Sequence, residues 1–547
     1  MADTVREIER KYEFTATPDG HDERLPDLTG VPGVEAVVDK GADALDATYY
    51  DTAARRLAAD GITLRRRTGG DDAGWHLKLP VAPGVRDEIR APLAEQVPAR
   101  LTALVRSRVR DSALNPLVRI ESRRTVWQLL GAEGVPLADA SIDRVTAKRL
   151  TDGELRAASW TEVEVELAEG QEPALLDAVE ARLIEGGLRP SDAPSKLARA
   201  LAETEFAPKK KGKGGGKSAG GKEAAKGKKS TKGKKSAKGK KPATKPTEPP
   251  PPPPPTAADH ILDYLRAQVT AIVELDPAVR RDLPDSVHRM RVATRRLRSA
   301  FRSYRKILDR AATDPVGEEL KWLAAELGID RDREVLTARI QAGLDGLPRT
   351  LTAGPVRGRL RTWSAARRQG SRRRLVAVLD GKRYLTLLDT LDALLADPPL
   401  KPAAAKPPEA VIPDVVRRDY ERLAAYVADA LDRPSSPETD LAMHEARKAA
   451  KRTRYAAEAA RAAVGKPAKR FAARMTEVQE LLGDHQDSVV VREALRDLAA
   501  QAAAAGENAF TFGLLYGREE ARAEACEREL PELWERVSEP GLRAELG

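Results

Sequence analysis

Two periodicities divide the chain. Before about residue 206, short runs alternate apolar with polar residues: IERKYEF, GITLRRR, GWHLKLP, PLVRIES, RTVWQLL and WTEVEVELA. Gly, Pro and Asp turns separate them, so each predicts a half-buried β-strand, with helices over 93–110 and 173–186 in the gaps. Beyond about residue 257, Ala, Leu, Arg and Glu dominate, and apolar residues recur at helical spacing, as at Leu262, Leu265, Val269 and Ile272. That spacing predicts long helices with one buried face, and hence a helical bundle. Between the two regions, Lys209 to Lys245 is almost only Lys, Gly, Ala, Ser and Thr, and Pro249–Pro255 is an unbroken proline run. Such a composition has nothing to bury, which predicts a disordered linker over 207–256. The proline run predicts a polyproline II strut of about 22 Å. The expected organisation is multidomain, α+β over 1–206 and all-α over 257–547.

Residue parity sharpens the strand reading. Glu7, Glu9 and Lys11 share one face of the first run, with Ile8 and Tyr12 on the other. Arg65 and Arg67 oppose Leu64, and His76 and Lys78 oppose Leu77 and Leu79. Arg119 and Glu121 oppose Val118 and Ile120, while Glu162, Glu164 and Glu166 oppose Val163 and Val165. An ordinary half-solvated sheet leaves such charges in water. Solvated faces intermix their signs, however, whereas here carboxylates gather on two strands and cations on others. A sheet closed with its charged face inward would hold a divalent cation on the acidic strands and a compact polyanion on the basic ones.

Composition narrows the functions. The 547 residues carry a net charge of +10, but 16 lysines between Pro208 and Glu248 give that segment a local +14, so the remainder is slightly acidic. Overall basicity therefore identifies no polyanion site; only the local arrangement of charges does. Aromatic residues are 4% of the chain, too sparse for a base-stacking surface. Cys526 is the only cysteine, which excludes an internal disulfide and suits a reducing cytosol. The N-terminal MADTVREIERKYEF has no signal-peptide core, and no run of about 18 apolar residues predicts a membrane span. The expectation is a cytoplasmic protein without membrane insertion.

The C-terminal region repeats itself. His288-Arg-Met-Arg291-Val-Ala-Thr-Arg295-Arg296-Leu-Arg298 aligns with His444-Glu-Ala-Arg447-Lys448-Ala-Ala-Lys451-Arg452-Thr-Arg454 at an offset of 156 residues. Leu327-Gly328-Ile-Asp-Arg331-Asp332 aligns with Leu482-Gly483-Asp-His485-Gln486-Asp487 at an offset of 155. This is an internal duplication with repeats at about 257–400 and 410–540. On a helix, positions i, i+3, i+7 and i+10 fall along one stripe. Repetition of that spacing sets the stripe apart from a merely solvated basic face, and two opposed Arg stripes repel unless a polyanion lies between them.

Glu7-Ile-Glu9-Arg-Lys11 resembles the ExExK signature of the CYTH, or triphosphate tunnel metalloenzyme, family. The resemblance continues in order through Tyr49-Tyr50-Asp51-Thr52, Leu64-Arg65-Arg66-Arg67, His76-Leu77-Lys78-Leu79, Arg124 before Trp127, Asp143, the E-x-E-x-E run and Ser195-Lys196-Leu197. It implies an antiparallel barrel with flanking helices, enclosing a tunnel in which a triphosphate is hydrolysed with Mg²⁺ or Mn²⁺. Carried over by position, Glu7, Glu9, Asp143, Glu162 and Glu164 are implied metal ligands, with Glu166 the alternative on the same face. Lys11, Arg65, Arg67, Lys78, Arg86, Arg90, Arg124 and Lys196 are implied to grip phosphate oxygens, with Arg123 the competing register for Arg124. Glu7, Glu9, Lys11 and Lys78 are the implied catalytic set, a lysine of that set being the candidate base. Inorganic triphosphate is the expected substrate; thiamine triphosphate is not separated from it by these residues. The family also contains adenylyl cyclases, but no adenine or ribose pocket is legible.

The duplicated stripe is similar to the CHAD domain, over about 257–540. The resemblance implies two pseudo-symmetric four-helix bundles and a basic channel for inorganic polyphosphate. His288, Arg291, Arg295, Arg296, Arg298, His444, Arg447, Lys448, Lys451, Arg452 and Arg454 are the implied binding residues, with Asp332 and Asp487 orienting arginines. Association with polyphosphate granules and non-specific nucleic-acid binding through the lysine-rich linker complete the expected partners. A non-catalytic polyphosphate-binding protein is the rival reading.

Overall fold

The computed structural model describes residues 4–15, 23–150, 156–205, 254–433 and 437–546, without the side chains of 330–334, 365–371 and 437. Among them, nine strands form one antiparallel sheet: β1 (Thr4–Phe14), β2 (Ala36–Asp51), β3 (Thr63–Thr68), β4 (Gly74–Ala82), β5 (Val85–Ala91), β6 (Asn115–Leu130), β7 (Pro136–Arg149), β8 (Ala157–Leu167) and β9 (Leu188–Pro190). Their order is β5-β4-β3-β2-β6-β7-β8-β1-β9, and β5 also pairs with β1, so the first eight close into a barrel. The runs PLVRIES and RTVWQLL form one strand, β6. At Gly69, beyond β3, φ is +82° and a Cβ would collide with the carbonyl oxygen of Ala44, so only glycine fits.

Four helices flank the barrel: α1 (Arg56–Ala59), α2 (Ala99–Val109), α3 (Ala174–Glu185) and α4 (Lys196–Glu203). Tyr12, Val163 and Val165, on the apolar faces of β1 and β8, pack against Leu176, Val179 and Leu183 of α3. Leu64, Leu77 and Ile89 pack against Leu101, Leu104 and Val105 of α2. Burying these outward faces leaves Glu7, Glu9, Glu162 and Glu164 turned into the barrel. β6 behaves differently. Arg119 and Glu121 lie on the half-exposed outer face, ion-paired to Asp46 and Lys148. Val118 and Ile120 share the face of Arg124 and pack with Leu197, Ala200 and Leu201 of α4. For that stretch the ordinary half-solvated reading holds, because α4 fills that end of the interior with apolar side chains.

The second region is helical: α5 (Ala257–Arg280), α6 (Ser286–Ser303), α7 (Arg310–Glu326), α8 (Gly328–Asp345), α9 (Val356–Asp380), α10 (Lys382–Ala396), α11 (Ile412–Leu431), α12 (Pro437–Ala459), α13 (Arg461–Val464), α14 (Lys466–Ala504), α15 (Phe510–Val537) and α16 (Pro540–Ala544). Its cores cross the repeat boundary. One joins α5, α6, α7 and α10 to α11, α12 and the first half of α14. The other joins α8 and the start of α9 to the second half of α14 and the start of α15. The two regions are docked. Ser107 and Arg108 at the end of α2 donate to the Val273 carbonyl at 3.3 and 3.2 Å. Arg110 pairs with Asp389 and Asp392 of α10 at 3.2 and 3.0 Å, and Arg281 with Asp87 of β5 at 2.8 Å. No helix among the described residues is long and apolar enough to cross a membrane.

Candidate functional site

The barrel interior concentrates the charge. A cavity there is lined by Glu9, Lys11, Tyr49, Thr63, Arg65, Lys78, Arg86, Arg124, Glu164, Glu166, Ser195 and Lys196, every one of them polar. The register explains their convergence: Glu7 lies opposite Arg86, Glu9 opposite Glu166, Lys11 opposite Glu164, and Arg124 opposite Asp143 across neighbouring strands. Cross-strand neighbours on one face sit within about 5.5 Å, so alternating charges on paired strands must meet.

Carboxylates and cations are interleaved. Asp143, Glu162 and Glu164 are buried and offer oxygens within 4.8 Å of one another. Arg124 donates to both oxygens of Asp143 at 2.9 and 2.7 Å and to Glu164 at 2.5 Å. Lys196 reaches Asp143, Glu162 and Glu164 at 2.9, 2.7 and 2.6 Å. Lys78 pairs with Glu7 at 2.6 Å, and Lys11 with Glu164 and Glu9. Burial opposes charge on Glu164 and Asp143, but Lys11, Lys196 and Arg124 hold Glu164, and Arg124 and Lys196 hold Asp143, below the usual carboxylate range. Burial likewise pulls down Lys11, but Glu164 and Glu9 outweigh it and keep the ammonium above its ordinary value. Glu166 is pushed up to about 7 by burial and by the charge of Glu7. Arg67 is lowered to about 9 by burial and by Arg65 and Arg124.

The cation set is divided. Arg65 and Arg86 line the cavity, and Arg67 pairs with Asp72 at the strand end. Arg90 meets the interior through Glu88, at 2.5 Å. Arg124 faces inward and Arg123 lies on the exposed outer side, which separates the two registers. Glu88 was not among the candidates from sequence. It is 1% exposed and touches His76 at 2.8 Å and Lys78 at 3.6 Å. Despite burial, the hydrogen bond from His76 and the charges of Lys78 and Arg65 hold it far below the usual carboxylate range. The alternation Arg86-x-Glu88-x-Arg90 carried the signal, obscured by Asp87 on the opposite face.

In the helical region α6 and α12, the two copies of the stripe, pack together in antiparallel sense: Arg296 pairs with Glu458 at 2.9 Å and Arg452 donates to the Arg302 carbonyl at 3.0 Å. Arg295, Arg298, Lys448, Lys451 and Arg452 line a groove of about 690 Å³ together with Arg302, Lys321 and Arg422. An adjoining cavity of about 420 Å³ shares Arg298, Arg302 and Arg452 and adds Arg305. Arg302 continues the α6 stripe by one heptad beyond Arg295, a signal present in sequence, and Arg305 follows in the turn just past the end of the helix. Arg422 comes from α11, where no stripe marks it. Lys451 is lowered to about 6 by burial and by Arg295 and Arg447, which outweigh the opposing charge of Asp487.

The other contacts of the stripe residues are distributed. Arg296 and Arg454 both pair with Glu458, and Arg452 with buried Asp419. Arg447 lies 3.5 Å from Asp487. His444 bonds Gln486, and burial and Lys448 lower its pKa. His288 and Arg291 stand at the start of α6, His288 exposed. The side chain of Asp332, the lysine tract assigned to nucleic acid and the linker as far as 253 lie outside the described residues.

Comparison with known proteins agrees with this two-part geometry. The CYTH domain family matches residues 6–200 and the CHAD domain family residues 263–496. Two uncharacterized proteins of Mycobacterium tuberculosis, from strains CDC 1551 and H37Rv, are each 37% identical over 540 residues, 96% of this chain and 94% of theirs. Among solved structures, PptA from Streptomyces chartreusis is 23% identical with a TM-score of 0.44, over 52% of this chain and 100% of that one. The CHAD domain from the plant Ricinus communis is 24% identical with a TM-score of 0.41, over 52% and 92%.

Proposed function

Because the chain belongs to the proteins that join a CYTH domain to a CHAD domain, we propose that its barrel hydrolyses inorganic triphosphate with Mg²⁺ or Mn²⁺ and that its helical domain binds inorganic polyphosphate. The observation that carries the first half is the convergence of Lys11, Arg65, Lys78, Arg86, Arg124 and Lys196 on one polar cavity beside a three-carboxylate cluster. Hard carboxylate oxygens in that number suit Mg²⁺ or Mn²⁺. Asp143, Glu162 and Glu164 would hold the ion, with Glu7 and Glu9 on the adjacent strand. A divalent ion bound there supplies charge neutralisation on phosphoryl oxygens and makes water more acidic.

Phosphoryl transfer demands positioning and electrostatic stabilisation more than covalent help. Arg65, Lys78 and Arg124 line the cavity that would take the compact polyanion, and the strands that carry them are fixed by the barrel. Lys11 keeps its proton between Glu9 and Glu164, so it serves the phosphates as a charge rather than as a base. In the reaction, water attacks the terminal phosphorus, the bond to the bridging oxygen breaks, and phosphate and pyrophosphate leave. For the helical domain, the supporting observation is the groove in which Arg295, Arg298, Arg302, Arg422, Lys451 and Arg452 converge, since such mutually repelling cations are stabilised when an anion enters.

The test is phosphate release from inorganic triphosphate by the full chain with Mg²⁺, Mn²⁺ or chelator. Metal-dependent turnover, lost by at least 10²-fold in Glu7→Gln with Glu9→Gln, is the expected result. Absence of turnover with either metal from folded protein would overturn the hydrolase reading and leave polyphosphate binding as the activity.

A further inference from the structure

Lys196 sits where a cation belongs. Its ammonium lies 2.6–2.9 Å from oxygens of Asp143, Glu162 and Glu164, and the residue is 8% exposed. Those are the three carboxylates whose oxygens come within 4.8 Å of one another. Cations already crowd the cluster: Arg124 bonds Asp143 and Glu164, and Lys11 bridges Glu164 and Glu9, so three cations serve four carboxylates. A divalent ion added alone to this set would meet an ammonium in its place and two further cations beside it. In a buried setting such like-charge contacts are costly. Either the ammonium must leave or more negative charge must arrive.

Both happen if a triphosphate enters. Lys196 is the first residue of α4, its ammonium is a compact charge on a flexible four-carbon stem, and it lines the same cavity as Arg65 and Lys78. Released from the carboxylates, it remains within the cavity that would hold the phosphates. We propose that Lys196 is the resident counter-ion of the metal site, and that the divalent cation enters together with triphosphate, as their complex, while the ammonium passes from carboxylate to phosphate oxygens. This rests on the triphosphate reading of the tunnel. It makes the binding of metal and of triphosphate mutually dependent, and that coupling is the same whichever is added first.

The experiment uses the full chain with Mn²⁺ and imidotriphosphate, a nitrogen-bridged triphosphate chosen to resist cleavage. In the wild type, Mn²⁺ alone is expected to bind weakly by paramagnetic resonance and to leave the melting temperature unmoved. Imidotriphosphate with Mn²⁺ is expected to raise it by more than the sum of the separate effects. Lys196→Met is expected to bind Mn²⁺ alone at least tenfold more tightly than the wild type. Equal Mn²⁺ affinity in the two proteins, or additive thermal shifts in the wild type, would overturn the inference. Should Lys196→Met fail to fold, the wild-type additivity decides alone. Failure of imidotriphosphate to bind in any combination, together with no hydrolysis of inorganic triphosphate, would instead overturn the triphosphate reading. The Mn²⁺ comparison between the two proteins still decides the counter-ion role in that case.

Discussion

Single side chains in this protein are defined by which charges surround them. Lys11 and Lys451 are both half-buried lysines, yet carboxylates hold the first above its ordinary value while desolvation and then neighbouring arginines bring the second down to about 6. The groups facing Lys451 are Arg295, Arg447, Asp487 and Arg291. Desolvation and these arginines favour the neutral amine, and an entering polyphosphate is expected to favour its protonation. Between about pH 6.5 and 8.5, polyphosphate affinity is expected to fall by up to tenfold per pH unit as that uptake becomes harder. Calorimetry in two buffers of different ionisation enthalpy is expected to report uptake of close to one proton at pH 7.5, and none in Lys451→Met. Equal uptake in both proteins would contradict this assignment. Glu88 teaches the complementary lesson, since a carboxylate that pairs with His76, Lys78 and Arg90 is legible as part of an alternation only once that strand's partners are known.

At the scale of elements, faces decide function. β1 and β8 read correctly from parity, because Ile8 and Tyr12 on one and Val163 and Val165 on the other give each strand an apolar stretch that α3 covers. In β6, parity placed Arg119 and Glu121 on one face but left open which face turned inward; α4, arriving from far along the sequence, settled it by packing on Val118 and Ile120. That short helix also fixes Lys196. The Ser195 hydroxyl accepts from the Ala198 amide at 3.1 Å, an N-cap on a helix with a buried apolar face. Ser195→Ala is expected to cost about 1 kcal/mol. The barrel's unfolding temperature should drop by about 2–4 °C, with a larger relative loss of triphosphate affinity because Lys196 loses its anchor. A melt that does not move would mean that packing alone holds α4.

For the molecule as a whole, the two domains share a polar seam. Arg110 has a φ of +58°, a conformation rare for a side-chain-bearing residue, and pairs with Asp389 and Asp392. Arg281 reaches Asp87, which also accepts from Arg6 of β1. Interfaces this polar within a chain hold by a few specific contacts. Arg110→Ala with Arg281→Ala is therefore expected to raise the radius of gyration in small-angle scattering while each domain keeps its own melt. Unchanged scattering would assign the docking to apolar contacts instead.

The sequence by itself determined the two domain types, the gathering of the β1 and β8 carboxylates on one face of each strand and the duplicated basic stripes, since each is a periodic or repeated pattern written locally. The family resemblance, carried by ordered motifs, set the expectation of a tunnel. Tertiary structure alone decided the rest. It gathered Asp143, Glu162 and Glu164 around the ammonium of Lys196, turned Arg124 rather than Arg123 inward and brought Arg422 of α11 into the basic groove. It also formed helical cores that ignore the repeat boundary. The physical reason is that electrostatics and close packing act through space. A charge's partners, and therefore its protonation and its role, depend on neighbours that chain closure supplies from distant positions.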